Sequence, residues 1–408
     1  MSKVLEIFLG ILTAMGGFVE VGELTFMMNA GSHFDFRLLW VVALGTVGII
    51  VYGEITGRIA AVRGQPVFNV VRERAGLRLG MLTLVASVLT CVMTCAAEIG
   101  AIAMLWQLMT SWPYRALLLL ALLALLLVVW TLSFKAIERV FGLLGLLLVV
   151  VAWVAWRLRP EPDAMLAGLI PSLPPTDRML YAYYAVALLS SIMLPYETYF
   201  YGSGAIEDRW TPRDIPLNRL ISFVGFALGG MLAVALMVLG VQFLGPRGIE
   251  ASVPGTAAIV VGSELGRAGV WVMLTGMCFA FAGAAIETAM GSAYNIAQFF
   301  GWPWGKRYPP RTASRFALTW MIAFVLAALL VLTGVDPIRV VEYSIVFSVV
   351  ILPLTYFPLM VVSSDPKVMG VYANGRVART LGWFYFVLVC IAAVSAVPLL
   401  VLTHGGEG

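Results

Sequence analysis

The chain has 408 residues, of which 61% are apolar and only 12% are Asp, Glu, Lys or Arg, about half the charged share of an ordinary soluble domain. That balance excludes a water-soluble protein and leaves too little polar sequence for a separate soluble domain. With 26 basic against 22 acidic residues, the net charge gives no support to nucleic acid binding. Four cysteines, Cys91, Cys95, Cys278 and Cys390, all lie in apolar runs, which argues for buried thiols over a disulfide framework or a metal site. The first apolar run continues past Gly16 and Gly17 and carries Glu20 and Glu23, which does not suit a cleavable signal peptide.

A window of about 19 residues picks out eleven apolar segments: Leu5 to Met28, Leu38 to Ile59, Met81 to Leu108, Ala116 to Leu132, Val140 to Trp156, Leu180 to Tyr201, Leu220 to Leu244, Val270 to Phe299, Phe316 to Val335, Val340 to Val362 and Leu381 to Leu402. Lipid cannot satisfy an open backbone, so each is predicted to be a transmembrane helix. The fold class expected is therefore an all-α polytopic membrane protein, embedded in a cell membrane (plasma or inner). Placing the N-terminus in the cytoplasm puts most of the 26 basic residues inside, among them Lys3, Arg58, Arg63, Lys135, Arg209, Arg213, Lys306, Arg307 and Lys367, as the positive-inside bias requires. The tail with His404 and Glu407 then lies outside. Trp106, Trp112 and Trp156 near segment ends fit an interfacial belt.

Two segments read as broken. Segment one holds Gly16, Gly17 and Gly22 around Glu20 and Glu23, and segment six holds Pro195 with Glu197 behind it. Such residues free backbone groups that then need polar company. The two breaks are five segments apart, the offset of an inverted repeat with its substrate site at the shared midplane. The expected division is 1–156 for the first repeat, 180–362 for the second and 381–402 for an additional helix.

Seven acidic residues fall within the apolar segments: Glu20, Glu23, Glu54, Glu98, Glu197, Glu287 and, nearer an end, Glu342. Each ionised group at bilayer depth costs about 2.5 kcal/mol or more. Glu20, Glu23 and Glu197, at the breaks, read as functional, with backbone capping as the bland alternative. Glu98 shares a helical stripe with Cys95 and Cys91, where both a buried neutral acid and a proton relay stay open. Glu54 sits one turn before Arg58 and reads as a local ion pair. Glu287 reads equally as pore lining or as core, and Glu342 as facing external water. His33, placed in an outer loop, and His404 cannot carry protons within the membrane.

Several stretches carry a family pattern: AGSHFDFRLLWVVALG and GEITGRIAAVRGQPVFNVVRERAG between Ala30 and Gly76, AAEIGA from Ala96, AGAAIETAMGSAYNIAQFFGW from Ala282, and ILPLTYFPLMVVSSDPKVMG from Ile351. Together they resemble the NRAMP divalent metal transporters over nearly the whole chain. The resemblance implies a LeuT-like fold (APC superfamily) of two inverted five-helix repeats plus one helix, and a transporter with no enzymatic chemistry.

The site motifs carry over with changes. The family's DPGN of helix one corresponds to Glu20, Val21, Gly22 and Glu23, and its MPHN of helix six to Leu194, Pro195, Tyr196 and Glu197. A helix-three aspartate falls at Cys95 while the neighbouring glutamate is kept as Glu98; a second helix-six histidine falls at Tyr201, and a helix-ten glutamine at Ile351. Losing the methionine thioether and adding hard carboxylates shifts preference away from softer ions such as Cd and toward harder ions such as Mg or Mn. The resemblance thus implies alternating-access transport of a divalent cation, which is substrate and not cofactor, bound by Glu20, Glu23 and Glu197 with Tyr196 and carbonyls near Gly17 and Leu194. Cys95, Glu98, Tyr201 and Glu287 are the expected relay or pore-lining positions. Three ionised carboxylates around one divalent ion leave a net charge of about −1. The alternative is an organic cation or amino-acid-like substrate held by the same acids with Tyr196 and Tyr199. A monomer in the lipid bilayer is expected, with no nucleic acid partner and no cofactor.

Overall fold

The structure, a computed structural model, describes residues 20–406; the readings placed on Lys3, Gly16, Gly17 and Glu407 lie outside the described residues. Within them, ten spans are long and apolar enough to cross a membrane. The first, Val21–Arg63, is 43 residues long and contains two helices, α1 (Val21–Phe34) and α2 (Leu39–Arg63), joined by a 3-10 turn at Asp35–Leu38. The spans therefore match the expected segments, with segment one entering the description at Glu20. The other long helices of these spans are α3 (Val67–Thr110), α4 (Tyr114–Thr131), α5 (Phe134–Arg157, with a 3-10 turn at Leu146–Leu148), α6 (Arg178–Ile192), α7 (Pro195–Glu207), α8 (Ile215–Leu239), α9 (Gly255–Phe300), α10 (Ser314–Leu332), α11 (Pro337–Ser364) and α12 (Arg376–Leu402).

Three boundaries differ from the hydropathy reading. α3 begins at Val67 and α9 at Gly255, well before Met81 and Val270, and α1 runs on to Phe34, so His33 stands on its last turn and not in a loop. The early turns of α3 carry Arg72, Glu73 and Arg74, and those of α9 carry Ser263 and Glu264; a hydropathy window sees only the apolar part of each. Both helices are interrupted by a glycine with positive φ, Gly76 at 74° and Gly266 at 65°, a conformation that costs other residues a Cβ clash. The turns before each glycine are thus re-aimed relative to the spanning part.

Segment six is broken where its proline predicts. α6 ends at Ile192, Met193 leaves helical geometry and Leu194 is extended (φ −58°, ψ 131°), because a residue preceding proline is pushed out of the α region. Pro195 then opens α7 at a position where its missing N–H would have no partner anyway. The carbonyl of Met193, freed by the break, accepts from the Tyr356 hydroxyl at 3.2 Å, and the Tyr356 ring stacks on Tyr52 at 3.6 Å.

α1 and α7 lie inside the bundle. α1 packs on α6 and α8, and α7 on α2, α3 and α9, while α3 forms the spine against α9, α10 and α11. α4, α5 and α12 are peripheral and present rows of exposed apolar side chains such as Leu119, Leu123 and Leu127 on α4. Lipid tails are as apolar as leucine, so such faces need no protein cover.

The expected Glu54–Arg58 pair is present. Arg58 is 3% exposed, its Nε lies 2.9 Å from Glu54 Oε1, and its other nitrogens donate to Asn374 Oδ1 at 2.6 Å and to the Tyr372 carbonyl. It fastens the end of α2 to the connection before α12. Arg58→Ala would leave Glu54 with Arg219 alone, 3.5 Å away, and strand two acceptors, with an expected loss of about 2 kcal/mol, read as a lower melting temperature in detergent; an unchanged value would mean that water replaces the guanidinium.

Candidate functional site

The two helix beginnings inside the bundle, α1 and α7, bring N-terminal amides and their positive dipole ends into the apolar interior, where anionic groups are favoured. Acids meet them. Glu20 is extended (φ −108°, ψ 167°) one residue ahead of α1, and its Oε2 accepts from the Tyr196 hydroxyl in the first turn of α7 at 2.6 Å. The Val21 amide, first of α1, donates to Glu98 Oε1 on α3 at 2.9 Å. Glu98 thus caps a helix 77 residues away in sequence.

Glu23, in the first turn of α1, is fully buried, and among the described residues neither of its carboxylate oxygens has a hydrogen-bond partner. One oxygen each of Glu197, in the first turn of α7, and of Glu98 is likewise buried and unpartnered. Glu20 is the centre of this group: Glu23, Glu98, Glu197 and Glu287 on α9 all lie within electrostatic range of it. Five buried carboxylates therefore surround two helix ends. A buried carboxylate left unpaired costs on the order of several kcal/mol, and a cation placed among these groups removes that cost. Among the described residues no three His, Cys, Asp or Glu side chains converge closely enough to hold a metal ion together; the acids ring the helix ends without closing on one point.

The other expected positions are placed as follows. Leu194 is buried at the break. Cys95 is buried on α3 and its thiol donates to the Ala285 carbonyl of α9 at 3.5 Å, which ties the two helices together. Tyr201 turns to α8, with its hydroxyl 2.9 Å from Asn218 Oδ1 and 3.0 Å from Ser222 Oγ. Ile351 is buried in α11, whose polar contribution near α7 is Thr355, in a 2.5 Å hydrogen bond with Tyr199.

One feature was not singled out from sequence. On α9, Thr288, Ser292, Asn295 and Gln298 are all buried and follow one another at spacings of four, three and three, which is one helical face beginning beside Glu287. Asn295 Nδ2 donates to Ser87 Oγ of α3, and Gln298 Nε2 to Ser203 Oγ of α7, both at 2.7 Å. The amide oxygens of both are buried without partners. The spacing of these polar residues within an apolar helix was the available signal.

A helical bundle in which two helices begin at its centre, over buried acids, is the arrangement of a LeuT-like secondary transporter. Solved structures agree on the fold: the manganese transporter of Eremococcus coleocola superposes with a TM-score of 0.79 at 16% identity, covering 98% of this chain and 88% of that one. MhsT, solved in complex with L-phenylalanine, superposes at 0.64 with 15% identity over 96% and 98%. Residues 10–398 match the family model for Natural resistance-associated macrophage protein-like proteins, and the chain belongs to the Nramp family. The divalent metal cation transporter MntH of Ralstonia nicotianae is 24% identical, with 94% of this chain and 88% of the relative aligned. Its named relatives are transporters, not enzymes.

Proposed function

We propose that this chain moves a divalent metal cation across the membrane by alternating access, with harder ions such as Mg or Mn favoured. The observation that carries the reading is Glu23, whose two buried oxygens have no partner among the described residues, beside Glu20 and the unpartnered oxygen of Glu197. Three hard carboxylates suit an ion that prefers oxygen ligands, and no thioether stands at Leu194 to recruit a softer one. Because the acids stand apart, binding requires the first turns of α1 and α7 to close on the ion. Occupancy then favours one arrangement of the two helices over another, which is the differential affinity that alternating access needs. In this proposal the halves 1–156 and 180–362 move against each other in a monomer whose N-terminus is cytoplasmic.

The test is uptake by purified protein in liposomes, with Mg, Ca, Mn and Zn offered separately. Transport of none of them overturns the proposal, and a thermal shift with organic cations but not with metals would assign the site to an organic substrate. Leu194→Met is expected to raise affinity for Cd by about tenfold, since it restores a sulfur ligand; equal Cd binding in wild type and variant would place Leu194 outside the ligand shell.

A further inference from the structure

We propose that a cavity at the basic end of the bundle, between α4, α5 and α10, binds the phosphodiester head group of an anionic phospholipid. The cavity measures about 400 Å³ and is lined by Thr131, Ser133, Lys306 and Arg307, with Trp130 and Trp320 on its walls. Among the described residues that line it, none is acidic. It lies where three membrane spans end or begin, at Thr131, Phe134 and Ser314, which is head-group depth. The two indoles, 6.4 Å apart, are the side chains enriched at that depth, and Trp130 is half exposed toward the lipid side of α4.

The cations are held in place by the protein. The Lys306 amide donates to Glu207 Oε1 at 2.7 Å, and the Tyr294 hydroxyl braces the same oxygen at 2.9 Å. Gly305 has φ 107° and a Cβ there would strike the Glu207 carboxylate, so the turn is seated directly on this acid. The Lys306 ammonium then reaches over the cavity rim to the Val129 carbonyl in the last turn of α4, with two N–H groups to spare. Ser133 caps the start of α5 by accepting from Ala136 at 3.3 Å, and the neighbouring acid Asp208 is engaged by Lys135 at 3.3 Å. Burial pushes the Lys306 ammonium below its ordinary value, with Glu207 opposing; an incoming phosphate acts in the same direction as Glu207 and favours the charged form. Basic pockets between helices at a membrane surface recognise anionic head groups in this way.

The experiment is native mass spectrometry of the full chain from nanodiscs of mixed phosphatidylglycerol and phosphatidylcholine, paired with tryptophan quenching by brominated phosphatidylglycerol. Wild type is expected to retain one phosphatidylglycerol in preference to phosphatidylcholine. Loss of each cation should weaken retention about fivefold, so Lys306→Ala with Arg307→Ala should lower it about 25-fold, while Arg213→Ala, outside the cavity, leaves it unchanged. Because Lys306 also covers the end of α4, Arg307→Glu alone, an exposed change, must weaken retention at an unaltered melting temperature. Trp130→Phe with Trp320→Phe should remove the fast component of quenching. Equal retention of both lipids, undiminished retention in Arg307→Glu, or displacement of the lipid by millimolar inorganic phosphate would each overturn the assignment to a phospholipid.

Discussion

Glu23→Gln is expected to lower affinity for the transported cation about 100-fold or more while raising the melting temperature of the cargo-free protein. The two effects have one cause. Among the described residues both Glu23 oxygens are buried without a hydrogen bond, so no contact among them is lost on amidation. The amide also relieves repulsion with Glu20 and Glu197. Removing a ligand charge, by contrast, strikes directly at a divalent ion; a hundredfold is about 2.7 kcal/mol, modest for a hard first ligand. Isothermal titration with Mg and Mn and a thermal melt of the same preparation give both numbers. Wild-type affinity in the variant would remove Glu23 from the site.

Transport is expected to carry little or no proton flux. Proton coupling on this scaffold needs a second group near the cargo that changes charge between pH 5 and 8, and the two positions the family resemblance points to are Cys95 and Tyr201. Free thiols and phenols titrate near 8.5 and 10. Here the thiol is committed to the Ala285 carbonyl and the phenol to Asn218 and Ser222, away from the helix ends. Glu98 and the site glutamates are the remaining carriers close to Glu20, and Glu98 Oε1 is occupied as the cap of α1. Proteoliposomes loaded with a pH dye, at clamped membrane potential, should show no acidification that tracks cation uptake. A strong signal that disappears in Glu98→Gln would show that the cap releases a proton during the cycle.

The sequence alone determined those features whose causes lie within a turn or two of one helix. Spans were readable because lipid permits no other backbone, the break at Pro195 because proline constrains its own neighbour, and the Glu54–Arg58 pair because residues four apart share a helix face. Even here the window missed the polar early turns of α3 and α9, where glycine at positive φ re-aims the chain. Tertiary structure decided everything that depends on which helix faces meet. The sequence leaves Glu98 open between a relay and a neutral core acid, and only the fold shows that it caps α1 from α3; Tyr196 reaches Glu20 across 176 positions; Tyr201 turns to α8 while Tyr199 meets Thr355. A side chain's residue type states what it can donate or accept. Which partner it finds is set by the rotation and depth of a helix packed against it, and those are fixed by the sum of contacts along both helices, not by the residues beside it in sequence.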